Sequence, residues 1–74
     1  MAFNYAKLLG RIKECGFTQH SLAKEIGINP STMSEKLNNK YRFSVKEIDE
    51  IRRVLDISKD EIGVYFFEEK VQKS

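Results

Sequence analysis

The stretch that most constrains this chain is Thr18 to Leu37, TQHSLAKEIGINPSTMSEKL. Thr18 is an N-cap residue, whose hydroxyl accepts an otherwise orphaned backbone N–H of a first helical turn. Behind it, Leu22, Ala23 and Ile26 fall on one face at helical spacing, which predicts a helix over Gln19–Ile26. Gly27 follows at once, where a helix ends in a left-handed residue that glycine adopts at little steric cost. Asn29 then caps a second helix, and Pro30 suits its first position, because its missing N–H would be unpaired there anyway. Met33 and Leu37 give this second helix, running to about Asn38, an inward face at i, i+4. Ala23 is small at the point where two steeply crossing helices must approach closely. Two short helices joined by a tight turn make the pattern of a helix-turn-helix unit.

The rest of the chain supplies helices to pack around this pair. Asn4 caps a first helix in which Tyr5, Leu8, Leu9 and Ile12 face inward and Lys7, Arg11 and Glu14 face solvent. Gly10 costs this helix roughly 1 kcal/mol against alanine, so a close contact is expected there. Gly16 ends it, and Phe17 packs the corner. After Leu37 comes NNKYRFS, a loop in which Asn38 and Asn39 can take left-handed conformations and Phe43 is expected in the core. Tyr41 either stacks on a sugar or covers the edge of the core. Ser44 and Glu47 form a capping box that opens a fourth helix, with Ile48, Ile51 and Leu55 inward and Val45 and Val54 at the margins. Ser58 and Glu61 form a second box that opens a fifth, whose apolar face is Ile62, Tyr65 and Phe66.

Seventy-four residues allow one domain with one small core. The boundaries read as a domain over residues 1–67 and a charged tail over 68–74 that is expected to fray. No apolar run approaches the roughly 18 residues needed to span a bilayer, and the start MAFNYAK lacks the apolar stretch of a signal peptide, so a cytoplasmic location is expected. Cys15 is the single cysteine, which excludes an internal disulfide and a zinc cluster and fits a half-buried apolar position. His20 has no partners spaced for catalysis or metal binding. No nucleophile set, phosphate-cradling glycine loop or metal-ligand spacing occurs, so no cofactor, no small-molecule ligand and no enzyme activity are expected. Charge is unevenly placed: residues 1–42 carry seven Lys/Arg against three Glu, while residues 43–74 carry six against eight acids. A net +4 on the half with the helix pair suits a one-sided footprint for phosphate.

Thr18-Gln19, Leu22-Ala23, Gly27-Ile28 and Ser31-Thr32-Met33-Ser34 together resemble the helix-turn-helix of the lambda-repressor-like, or Cro/repressor, family, over roughly residues 5–67. The resemblance implies an all-α, compact five-helix domain that places the helix after Asn29 in the major groove of operator DNA. It implies that Thr18 and Gln19 clamp phosphate at the start of the second helix, with Asn29, Lys36, Asn38, Lys40 and Arg42 as further phosphate candidates. It implies base reading by Pro30, Ser31, Ser34 and Glu35. Two departures stand out. Many relatives pair an arginine late in the first helix with a glutamate near the end of the recognition helix, and the matching positions here are Ile12 and Leu37. Where relatives often carry glutamine or another long donor, this chain has Pro30, and Glu35 is repelled by phosphate even though it can accept from cytosine.

Direct readout is therefore thin, which opens a second class of function: a repressor-like fold that binds another regulator. The segment IGVYFF supports it, because one helix cannot bury Val64, Tyr65, Phe66 and Phe67 against a single core. Val64, Tyr65 and Phe67 are the candidate surface for a weak homodimer or a partner phage repressor, while Ile62 and Phe66 stay inside. The competing possibility is a greasy chain end folded under the first helix. The helix pair combined with Ile-Gly-x-Tyr-Phe-Phe resembles small phage- and prophage-associated regulators. Lys40 and Arg42 favour DNA as the partner; Pro30, Glu35 and Phe66-Phe67 favour protein.

Overall fold

Five α-helices follow one another in the computed structural model, which describes residues 2–69. They are α1 (Ala6–Glu14), α2 (Gln19–Ile26), α3 (Pro30–Leu37), α4 (Val45–Val54) and, after a single 3-10 turn at Lys59–Glu61, α5 (Ile62–Phe66). No strand forms among the described residues; Phe3 and Glu69 make one isolated antiparallel bridge.

The first four helices end by the same device. In each, a left-handed residue just past the last turn lets two successive N–H groups turn back onto carbonyls that would otherwise lack partners. Gly16 and Gly27 supply that conformation after α1 and α2, at φ 82° and 78°. Asn39 and Asp56 supply it after α3 and α4, at φ 66° and 55°, where a side chain makes it costlier. The paired bonds recur: Ile28 N–H to Ala23 C=O at 2.9 Å with Gly27 N–H to Lys24 C=O at 3.2 Å, and Lys40 N–H to Glu35 C=O at 2.9 Å with Asn39 N–H to Lys36 C=O at 3.1 Å. The residue after each left-handed position is Phe17, Ile28, Lys40 or Ile57. Three of these are apolar and pack on the core, which fixes the angle at which the chain leaves the helix.

The starts are equally specific. Thr18 Oγ1 accepts from Ser21 N–H at 3.0 Å, and Ser21 Oγ accepts from Thr18 N–H at 2.8 Å, so serine completes a box more often closed by Glu or Gln. Asn29 Oδ1 takes the Ser31 N–H at 2.8 Å behind Pro30. Ser44 and Glu47 exchange bonds of 2.8 and 3.1 Å. Asn4 accepts from Ala6 N–H at 2.9 Å, although the helix it serves begins at Ala6, two residues further on.

One core holds these pieces. Leu8 and Ile12 of α1, Leu22 and Ala23 of α2, Met33 and Leu37 of α3, and Ile48 and Ile51 of α4 are buried together with Tyr5, Leu55, Ile57 and Phe66. Each large apolar side chain so buried contributes roughly 1.5–3 kcal/mol. Ile12 and Leu37, at the positions where relatives carry an ion pair, are both inside this cluster, where no charge has to be desolvated. Arg11, expected only to face solvent, donates from Nε to the Leu55 carbonyl at 2.9 Å and so caps the exit of α4.

Two local expectations are corrected. Leu9 is exposed, because the inward stripe of α1 is filled by Tyr5, Leu8 and Ile12. Gly10 makes no close contact: the space where a Cβ would stand is open. At the start of the tail, Asn4 N–H donates to Glu68 C=O at 2.6 Å beside the Phe3–Glu69 bridge. Residues 70–74 of that tail lie outside the described part.

The N-terminal segment is thus tied to the C-terminal one, and Asn39 completes the knot. Its side chain accepts from Phe3 N–H at 2.8 Å and donates to Phe3 C=O at 2.9 Å, imitating a strand partner. A row of rings follows the same path, Phe67–Phe3–Tyr5–Phe43–Phe66, with centroids 5.6–6.3 Å apart and mostly edge-on.

Candidate functional site

The outer face of the α2–α3 pair carries the residues matched to DNA contacts, and its polar groups are largely engaged within the fold. Gln19, Asn29 and Ser31 are exposed, although the Asn29 side-chain oxygen is occupied by its cap. Thr18 gives both its hydroxyl and its N–H to the box with Ser21. Pro30 is half-buried and offers no side-chain donor. Ser34 receives the Asn38 amide on its carbonyl at 2.9 Å and on its hydroxyl at 3.5 Å, so these two candidates serve one another. Glu35 pairs with Lys40 at 3.1 Å.

Lys36 is the clearest departure from its expected place at the groove wall. Its ammonium turns into the domain, 2.5 Å from the Glu47 carboxylate and 3.2 Å from the Arg42 carbonyl, and lies near the Phe43 ring. Only 12% of its side chain is exposed. Burial alone would push the Glu47 carboxyl up, but the bonds from Lys36 and Ser44 outweigh it and hold the group below the ordinary carboxylate range. The one cation on α3 is therefore committed to holding α3 against the start of α4.

A second face has the opposite character. Val45 is 84% exposed, Phe67 51% and Val64 45%, while Tyr65 is half-buried against the core. Between α4 and α5 runs a groove with Val45, Ile48, Ile62 and Phe67 as its apolar walls and Asp49, Arg52 and Lys59 at its rim. Asp49 is taken by Arg52 at 2.9 Å and Arg53 at 3.1 Å, both within one turn of its own helix. Of the candidate partner residues, Val64 and Phe67 stand on this exposed side and Tyr65 leans inward. Val45 and Phe3 were not among them. Periodicity put Val45 near the inner face, three residues before Ile48, yet it occupies the first turn of α4 and projects past the end of the core.

Phe67 leads directly into a polar hollow, because Phe3 meets its ring at 5.7 Å on one side and lines the hollow on the other. Tyr5, Asn39, Lys40, Tyr41 and Arg42 complete the lining. The Arg42 guanidinium rests 5.1 Å above the Phe3 ring, and the Lys40 ammonium 5.8 Å from that of Tyr41. Burial pushes the Tyr5 phenol up, with the charge of Arg42 opposing it. Tyr41 stands exposed rather than covering the core edge. Among the described residues, no cluster of His, Cys, Asp and Glu is placed to hold a metal ion, and no helix is long and apolar enough to cross a membrane.

A family model described as a protein of unknown function, DUF739, matches residues 1–69. The chain belongs to the DUF739 family. The family resemblance drawn from the helix pair was to Cro/repressor proteins; the family that matches is DUF739. A solved structure similar to this DUF739 chain is the solution structure of the modulator of repression of the temperate bacteriophage TP901-1 from Lactococcus lactis. The two are 38% identical with a TM-score of 0.79, and the match covers 97% of each chain. No curated protein matches the chain.

Proposed function

We propose that this chain is a phage regulatory protein that acts on a partner repressor, by stoichiometric contact in the cytoplasm and without catalysis or a cofactor. The observation that carries this proposal is the state of α3. If α2 and α3 are a helix-turn-helix, α3 is the element that would read bases, and it has no free long donor. Lys36 is held by Glu47, Pro30 has no polar side chain, and Glu35 brings negative charge toward any phosphate. Base readout without an Arg, Lys, Gln or Asn reaching the groove floor lacks the contacts that usually discriminate sequence. The full-length likeness to a modulator of repression supports the same class of function.

Operator binding by the chain itself is the second reading, favoured by the exposure of Gln19, Lys40 and Arg42 at the ends of the same pair of helices. In that case phosphate contacts would dominate, and sequence preference would be weak. Electrophoretic retardation separates the two, using DNA flanking the chain's own gene and the repressor of the same phage. The proposal expects no shifted band with the chain alone and a changed or abolished band when the repressor is present. A salt-sensitive shift by the chain alone, with the repressor's band unaltered, would favour operator binding and overturn it.

A further inference from the structure

The groove between α4 and α5 and the hollow beside Phe3 are two halves of one surface. Phe67 is a wall of the groove and touches Phe3; Phe3 is a wall of the hollow and carries the Arg42 guanidinium on its ring. Val45, three residues after Arg42, stands at the groove's open end. The strip therefore runs from exposed apolar side chains to an exposed cation held in place by an aromatic ring.

Its charges are one-sided. The single acid at the groove rim, Asp49, is taken up by Arg52 and Arg53. Lys59 at the same rim and Arg42 at the far end have no carboxylate within ion-pair distance among the described residues. Lys40 is satisfied only by Glu35, in a solvent-exposed pair that costs little to exchange. An apolar groove flanked by unmatched cations selects an amphipathic segment with large apolar side chains and adjacent acids.

We infer that this strip, from Val45 and Phe67 through Phe3 to Arg42, is the docking surface for an acidic amphipathic segment of the partner repressor. The inference rests on the repressor-modulator proposal and adds the surface and the chemistry of its occupant. Apolar side chains of the segment enter between Val45, Ile48, Ile62 and Phe67, and a carboxylate reaches Arg42. DNA is disfavoured here, because the groove walls offer phosphate no donors and Glu35 stands beside Lys40. A second copy of this chain is the competing occupant, which the sedimentation arm below separates from the repressor.

The test is calorimetric titration of the purified repressor of the same phage into wild type, Val45→Glu, Arg42→Glu and, on α2 outside the strip, Lys24→Glu. Val45, Arg42 and Lys24 are exposed, so thermal unfolding of each variant should match wild type. Val45→Glu and Arg42→Glu should each weaken binding at least tenfold, with Lys24→Glu within twofold of wild type. Raising salt should weaken wild type more than Arg42→Glu. Wild-type affinity in both strip variants overturns this surface while leaving the modulator proposal standing. No binding of the repressor by wild type overturns the modulator proposal itself. Sedimentation showing a wild-type dimer that Val45→Glu dissociates, with repressor binding unchanged, assigns the strip to self-association and overturns the inference.

Discussion

The outward face of α3 is mostly polar and the strip from Val45 to Phe3 mostly apolar, and they end in opposite states. On α3 the functional groups are spent on the fold: Lys36 on Glu47 and Asn38 on Ser34. Along the strip, Val45 and Phe67 stay exposed, and Arg42 is propped on the Phe3 ring with no carboxylate in ion-pair distance among the described residues. On the proposed reading, the α2–α3 pair serves as scaffold while the binding surface lies along the strip. Available chemistry is decided by which side chains the fold has left unpaired.

The contrast can be broken hardest from inside. Leu37→Ala removes a buried anchor under α3 and should cost about 2–5 kcal/mol in urea denaturation. Val45→Ala on the strip should change stability by no more than about 0.5 kcal/mol. A loss below that same margin for Leu37→Ala would mean that α3 presents a different side to the core.

Lys36→Met comes next, because it strands the Glu47 carboxylate. A hydrogen bond to a charged group is worth about 1.5–3 kcal/mol, and a loss in that range is expected at pH 7. The pH dependence gives the sign. Glu47 titrates below its unfolded value, so its contribution is fully present above the ordinary glutamate range and fades as pH falls through the folded pKa. Wild type and Lys36→Met should therefore differ most near neutrality and converge toward pH 3 in chemical denaturation. A gap that widens on acidification would contradict the pairing.

Asn39 and Asp56 sharpen the comparison, since both end a helix in the left-handed region and only Asn39 does more. Asn39→Gly relieves the backbone but loses two bonds to Phe3, each worth about 0.5–1.5 kcal/mol, so net destabilisation is expected. Asp56→Gly should be neutral or stabilising by a few tenths of a kcal/mol to about 1 kcal/mol. Equal responses at the two sites in thermal unfolding would argue against the Phe3 clasp. The smallest effect belongs to Gly10→Ala, expected to stabilise α1 by about 1 kcal/mol or less because nothing occupies the space a methyl would fill.

What could be seen in the sequence follows the range of the interactions. Helix bounds at Gln19–Ile26 and the box at Ser44 rest on contacts within four residues and appear where spacing and capping put them, whereas Ser58 and Glu61 open only a 3-10 turn ahead of α5. The inward set Leu22, Ala23, Met33 and Leu37 follows from helical period. The Phe3–Asn39 and Phe3–Glu69 ties join positions 36 and 66 residues apart, and nothing local in MAFNYAK marks them. Lys36 looks like any basic residue on a recognition helix until the fold brings Glu47 beside it. Val45 misleads for another reason: period assigns a direction, but the core ends before the first turn of α4 does.

Central to the account is that the chain meets a protein through the strip rather than DNA through α3. Amide chemical-shift perturbation of the labelled chain, titrated separately with the proposed partner repressor and with DNA flanking its gene, tests this most directly. The repressor should move Phe3, Arg42, Val45 and Phe67 and leave Ser31 and Ser34 in place, and the DNA should move neither group at physiological salt. Shifts at Gln19, Ser31 and Ser34 on adding DNA, with the strip silent toward the repressor, would contradict it.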